Sequence, residues 1–283
     1  MLETMIKESS TKTAWSSEAQ SQDGKQVSEA DYWATYYHDP DFCYEWNNGI
    51  LEEKPMADYT KYLMYTWFVY LLHEFLKAHP IAKTTGLDIG FRLNLSDKNA
   101  GRRPDLGVIR NDNPIPIHGP DNTYQGIFDM CIESLSDTRK SVITRDIKDK
   151  KEDYARIGVP EYYILDDKAR YTAFYQLSPI GLYIPMPVDD GVIRSTVLPG
   201  FQFRIADLYR RPELKQRVDD EIYTHFVMRD YQEERAKKER ERAEKEQERA
   251  KKEWERAEKE RERAEKERYR AMLREAGLLP DES

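Results

Sequence analysis

Three segments decide the fold: Arg103-Pro104-Asp105-Leu106-Gly107-Val108-Ile109, then Met130-Cys131-Ile132-Glu133-Ser134-Leu135-Ser136, then residues 145–166, RDIKDKKEDYARIGVPEYYILD. Each of the first two is a short apolar run carrying one carboxylate, Asp105 at the head of its run and Glu133 at the end of its own. Runs of four to eight apolar residues read as buried strands. The third segment changes period. Its charged first half belongs to a helix from Thr144 to Ile157, Gly158 follows as a left-handed helix stop, and Pro160 to Leu165 reads as another strand. Three strands followed by a helix and a fourth strand make a meander and then a crossover to a parallel neighbour. The expectation is an α/β domain with a mixed central sheet and helices on both faces.

Outward from this centre, Asn111 to Gln125 holds Pro114, Pro116, Gly119 and Pro120 and reads as a loop. Upstream, Lys83 to Leu95 reads as one strand with a bend at Gly86 or Gly90, and Asp97 to Arg102 as a turn. Tyr59 to Ala78 is a helix capped by Asp58, with a core stripe of Tyr59, Leu63, Trp67, Tyr70, Leu71 and Phe75. Asn47-Asn48-Gly49 between two short strands is a hairpin signal, with Glu45 in the first strand. A short helix from Glu29 to Tyr37 starts behind Ser28 as N-cap. Downstream, Arg170 to Gln176, Gly181 to Met186 and Gly191 to Thr196 read as antiparallel strands, with one more after Pro199-Gly200.

Three regions differ in composition. Residues 1–27 are polar and read as disordered, residues 28–210 form the α/β domain, and residues 211–283 form a charged helical tail. In the tail, Ala236, Ala243, Ala250, Ala257, Ala264 and Ala271 recur every seven residues. That is a coiled-coil period, but the accompanying positions hold Glu239, Glu246, Glu253 and Glu260, so the seam buries little apolar area. Glu-to-Lys pairs four residues apart favour a solvated single helix, as a spacer or an assembly element.

The chain has 283 residues and a net charge of −8. From Tyr231 to Ser283 there are 17 acidic and 17 basic residues, so the whole net charge lies before Tyr231. An acidic domain argues against tight, nonspecific grip on long duplexes. Cys43 and Cys131 have neither disulfide-framework nor zinc spacing. With no apolar run of membrane-spanning length, the expectation is a cytoplasmic protein without a membrane partner. No glycine-rich phosphate loop supports a nucleotide-binding enzyme.

Residues 102–167 resemble the PD-(D/E)XK nuclease superfamily, and the stretch from Asp31 to Tyr209 resembles the Uma-two family of restriction-endonuclease-like proteins. Pro104-Asp105, Glu133-Ser-Leu-Ser136, Asp146 to Lys150, and Tyr154-Ala-Arg-Ile-Gly-Val-Pro-Glu-Tyr-Tyr-Ile-Leu-Asp166 carry the resemblance, with Leu198-Pro-Gly-Phe201 as a closing strand. It implies a restriction-endonuclease-like fold and a Mg²⁺-dependent DNA endonuclease (Mn²⁺ also serving) that hydrolyses phosphodiesters with a metal-activated water, and the expected assembly is a homo-oligomer, a dimer. Asp105, Glu133 and the Ser134 carbonyl would hold the metal. Lys150 takes the place of the superfamily lysine, whose usual position is Leu135 here, and Asp146 and Tyr154 would position it from the same helix face. Glu45 matches a glutamate before the hairpin. The chain departs from the family at Ser136-Asp137-Thr138 and at Thr60, where a histidine is common. Each residue also has a plainer reading: Asp105 ends a turn, Asp146 complements a helix start, Tyr154 is core, and Lys148 and Lys151 compete with Lys150. The rival function is a binding or scaffold module that keeps the fold without turnover and works through its tail.

Overall fold

The computed structural model describes residues 20–86, 89–135, 139–226 and 229–275. The chain divides into two compact units, Met1–Val227 and Met228–Ser283. In chain order the first contains α1 (Glu29–Ala34), β1 (Tyr44–Asn47), β2 (Ile50–Glu53), α2 (Tyr59–Ala78), β3 (Ala82–Thr85), β4 (Gly90–Asn94), β5 (Asn99–Arg102), β6 (Leu106–Arg110), β7 (Thr123–Tyr124), β8 (Met130–Ser134), α3 (Lys140–Thr144), a π-helical turn (Arg145–Lys150), α4 (Lys151–Ile157), β9 (Glu161–Leu165), β10 (Ala173–Leu177), β11 (Tyr183–Pro185), β12 (Val192–Arg194), β13 (Gln202–Arg204), α5 (Asp207–Arg210) and α6 (Leu214–Arg217).

The main sheet has the order β11-β10-β9-β8-β6-β3. β3, β6 and β8 run antiparallel in turn, and β8 pairs parallel with β9 from Met130↔Glu161 to Ser134↔Leu165. The meander and parallel fourth strand read from the sequence are therefore present. Helices cover both faces. Neighbouring strand residues point to opposite sides, and on β9 Tyr162 meets Tyr154 of α4 while Tyr163 meets Phe68 of α2.

One central sheet is too few. β2-β1-β5-β4-β7 form a second, five-stranded sheet, and β12-β13 a third. The long strand expected over Lys83 to Leu95 is two strands in different sheets, β3 and β4. The turn expected over Asp97 to Arg102 is largely β5, which pairs with β4 on one side and β1 on the other. Asp, Asn and Gly give it turn composition, but it needs small residues: a Cβ on Gly101 would lie 2.5 Å from the Tyr32 ring. The loop 111–125 contains the two-residue β7.

In α2 the buried apolar residues are Met64, Phe68, Leu71, Leu72 and Phe75, whereas Tyr59 and Tyr70 are exposed. The stripe is rotated because the helix packs by Phe68 and Phe75 on Phe201 and Phe203, a partner set from the far end of the domain. The helix expected from Thr144 begins earlier, at Lys140, and its middle is the π turn.

Residues 211–226, grouped with the tail on composition, pack on the domain. Trp67 donates to the Pro212 carbonyl, Arg217 pairs with Glu74, and Tyr223 and Phe226 are buried. Of the disorder expected for residues 1–27, residues 1–19 lie outside the described residues. The rest follow β2: Gly24 N–H donates to the Leu51 carbonyl and Gln26 bridges Ile50. In the second unit α7 (Arg229–Glu275) is one continuous helix. No helix among the described residues is long and apolar enough to cross a membrane.

Candidate active site

Where β6 and β8 lie side by side, Leu106 faces Ile132, so Asp105 and Glu133 fall together at one end of the pair. The Ser134 N–H donates to Asp105 Oδ2 at 2.7 Å, which locks the two strand ends in register. Glu133 and Ser134 are buried on β8, and the Asp105 side chain keeps partial access to solvent.

The crossover after β8 returns over this end. Its π turn sets Asp146 and Lys150 with an ion pair of 3.1 Å. A π turn widens the helix by one residue and recurs at functional sites. Lys150 Nζ also lies 3.0 Å from Glu133 Oε2 and 3.1 Å from Glu45 Oε1. The ammonium is 1% exposed and held by three carboxylates from three elements. Tyr154, expected to position the lysine, instead donates its hydroxyl to Glu133 Oε1 at 2.9 Å. Glu45 Oε1 further accepts the Arg103 N–H at 2.8 Å.

All six side chains expected at the site thus converge on one end of the sheet, with Asp105 linked through Ser134. Sequence reading missed the cations around them. Lys54, just past β2, pairs with Asp105 at 2.8 Å and donates to the Arg103 carbonyl. Tyr65 donates to the Asp105 carbonyl. Arg102, fully buried, reaches Glu45, Glu52 and Asp153. Neither Lys54 nor Arg102 carries a local pattern that marks it. The pairing of β1 with β2 on one side and with β5 on the other brings them to the site.

Charge is unevenly shared. Burial opposes the ionised form of Glu45, but Lys150, Arg102, Arg145 and Lys54 together hold its carboxyl far below the usual range. Burial likewise opposes the charge of Asp105, yet Lys54, Lys61 and Lys150 hold it low. Glu133 is pushed up to about 7, by burial first and by the repulsion of Asp105 and Asp146, against the pull of Lys150. Lys150 stays protonated: burial disfavours its charge, and Asp146, Glu133 and Glu45 more than restore it.

A cleft of about 610 Å³ opens onto Asp105 and Ser134 and is lined by Lys54, Lys61, Tyr62 and Tyr65 among others. Among the described residues no three His, Cys, Asp or Glu side chains converge as a ready-made metal cluster. A site of two carboxylates completed by backbone oxygen fits a hard divalent cation that keeps several waters. One observation agrees: the buried Ser134 Oγ, next to Glu133 on β8, has no hydrogen-bond partner among the described residues.

A mixed sheet flanked by helices, with carboxylates at adjoining strand ends and a lysine on the following helix, defines a restriction-endonuclease-like α/β protein. The chain belongs to the Uma2 family, described as "Putative restriction endonuclease", whose model matches residues 30–206. Among solved structures, a "putative nuclease belonging to DUF820" from Anabaena variabilis ATCC 29413 is similar at 18% identity. The likeness covers 60% of this chain and 90% of that one with a TM-score of 0.45, too slight to carry a conclusion. A comparison with curated proteins returns no match.

Proposed function

We propose that the domain is a metal-dependent DNA endonuclease that hydrolyses phosphodiester bonds at the Asp105–Glu133–Lys150 end of the main sheet. The observation that carries this reading is the contact of Lys150 with Glu133 at 3.0 Å, next to the strand end where Ser134 ties down Asp105. Asp105, Glu133 and the Ser134 carbonyl would hold Mg²⁺ or Mn²⁺. The ion would supply neutralisation of phosphate charge and acidification of water at neutral pH.

The chain's own groups then have separate tasks. Lys54 keeps Asp105 ionised and competes with the metal for it. Lys150, protonated throughout the neutral range, stabilises developing negative charge and does not act as a base. Asp146 and Glu45 fix its ammonium. Tyr154 directs the Glu133 carboxylate by donating to Oε1, leaving Oε2 for Lys150. Glu133, with its carboxyl near 7, can hold a proton that ion binding expels.

The test is plasmid nicking with Mg²⁺ and with Mn²⁺, run beside calorimetric titration of each ion, on wild type, Asp105→Ala and Glu133→Gln. Nicking and ion binding lost together in both variants are expected. Cleavage that continues unchanged in both sinks the assignment and leaves a scaffold role for the fold.

A further inference from the structure

The mouth of the cleft carries more than the proposed chemistry requires. Tyr59 and Tyr62, on the first turn of α2, are stacked with ring centroids 6.2 Å apart and planes 19° apart. They are 72% and 53% exposed, an unusual fate for two rings in a helix that buries other aromatics, and Met56 beside them is 90% exposed. Tyr62 and Met56 line the cleft together with Phe42.

Lys61 supplies the second observation. It is only 9% exposed and lines the same cleft, yet among the described residues its ammonium has no hydrogen-bond or ion-pair partner. It differs in this from Lys54 and Lys150, which are both paired with carboxylates. Its stem is covered while its ammonium keeps access to water in the cleft, which an arriving anion can replace. Its charge already reaches Asp105, for which it ranks next after Lys54 among the cations.

An aromatic face beside an ammonium with no direct hydrogen-bond or ion-pair partner among the described residues, in a concave site, is matched by one nucleotide: a base to stack and a phosphate to pair. A base within a duplex shows its edges to a protein and hides its faces in the stack. The acidic domain also offers no surplus of positive charge for tracking a long duplex. We propose that the cleft receives an unstacked nucleotide of single-stranded DNA, its base against Tyr62 and Tyr59 and its phosphate on Lys61 beside Asp105. This rests on the endonuclease reading and narrows its substrate to single-stranded or locally opened DNA.

The experiment is fluorescence anisotropy on the full chain in EDTA, so that binding is read without turnover. The probes are a fluorescein-labelled twelve-nucleotide oligo-dT, a duplex of that length and the corresponding oligo-U. The single DNA strand is expected to bind at least tenfold tighter than the duplex. Tyr62→Ala should weaken it by about ten- to a hundredfold, the stacking of one base, while Tyr62→Phe, which keeps the ring, retains it. Lys61→Gln should weaken it and lower the salt slope by about 0.7, one phosphate contact.

Tyr62 is exposed, so its variants keep the core intact. Thermal unfolding checks the same for Lys61→Gln. Duplex binding as tight as single-strand binding overturns the proposal, as does single-strand binding untouched by both Tyr62→Ala and Lys61→Gln. A tenfold preference for oligo-U overturns the assignment to DNA. The two readings fail separately. Plasmid nicking that needs Asp105 but ignores Tyr62 keeps the nuclease and removes this site. Tyr62-dependent strand binding with no cleavage under any ion keeps the site and removes the nuclease.

Discussion

Lys150 and Glu133 meet at 3.0 Å although they lie on different elements, the one ending a π turn and the other near the end of a central strand, and each is at most 2% exposed. Two charges this deep are stable only as a set. Glu45 and Asp146 complete the set around the ammonium, and Tyr154 around the carboxylate.

Removing two members together should therefore cost less than the sum of removing each alone. Lys150→Met leaves three buried carboxylates without their shared cation and is expected to lose about 3–5 kcal/mol of stability. Lys150→Met combined with Glu133→Gln should lose less than the two single variants added together. Urea unfolding of the four proteins gives the coupling, and strictly additive losses would show that the contact carries no energy.

The raised carboxyl of Glu133 makes a pH prediction for the metal-free protein. A carboxyl near 4.5 when unfolded and near 7 when folded binds its proton more tightly in the native state. Its contribution is fully present below about 4.5 and is lost as pH rises through 7. Wild type should thus lose thermal stability relative to Glu133→Gln between those values, and excess Mg²⁺ should restore part of it at pH 8. Melting curves that stay parallel from pH 4.5 to 8 would contradict the burial argument.

Arg102 is the second charged knot. Fully buried, it joins β5 to Glu45 on β1, Glu52 on β2 and Asp153 on α4. Arg102→Met should destabilise the domain by about 3–5 kcal/mol by stranding buried carboxylates. Arg102→Lys should recover little of this, because a single ammonium cannot replace the planar fork. Equal stability of Arg102→Lys and wild type in urea would refute the forked role.

The tail is open to a direct test. Along α7, Lys238 pairs with Glu234 and Lys252 with Glu248, each one turn apart and exposed. Trp254 and Tyr269 are exposed as well. A peptide of residues 229–275 should lose helicity by circular dichroism between 10 mM and 1 M NaCl, because exposed pairs are screened. Its helicity should not depend on peptide concentration. A rise with concentration would instead establish the alanine seam as a coiled coil.

Much of the architecture was legible from local pattern. Apolar runs around Asp105 and Glu133, the charged helix closed by Gly158 and the Asn47-Asn48-Gly49 hairpin gave the strands, the crossover and their order, because alternation, caps and turn chemistry act over a few residues. Of the six candidate site side chains, Asp105, Glu133 and Lys150 stand out in the same runs, whereas Asp146, Tyr154 and Glu45 were named through the family resemblance. Local pattern failed where distant partners override it. Asn99–Arg102 looks like a turn and becomes a strand because β1 and β4 pair with both its edges. The buried face of α2 is chosen by Phe201 and Phe203, more than a hundred residues later, which leaves Tyr59 and Tyr62 in solvent. The sequence by itself determined the order of elements and which residues could do chemistry. Only the tertiary structure decided that Lys54 would pair with Asp105, that three carboxylates would share Lys150, and that Lys61 would line the cleft with Asp105, because ion pairing inside a protein is set by which strand ends meet and how much water is excluded there.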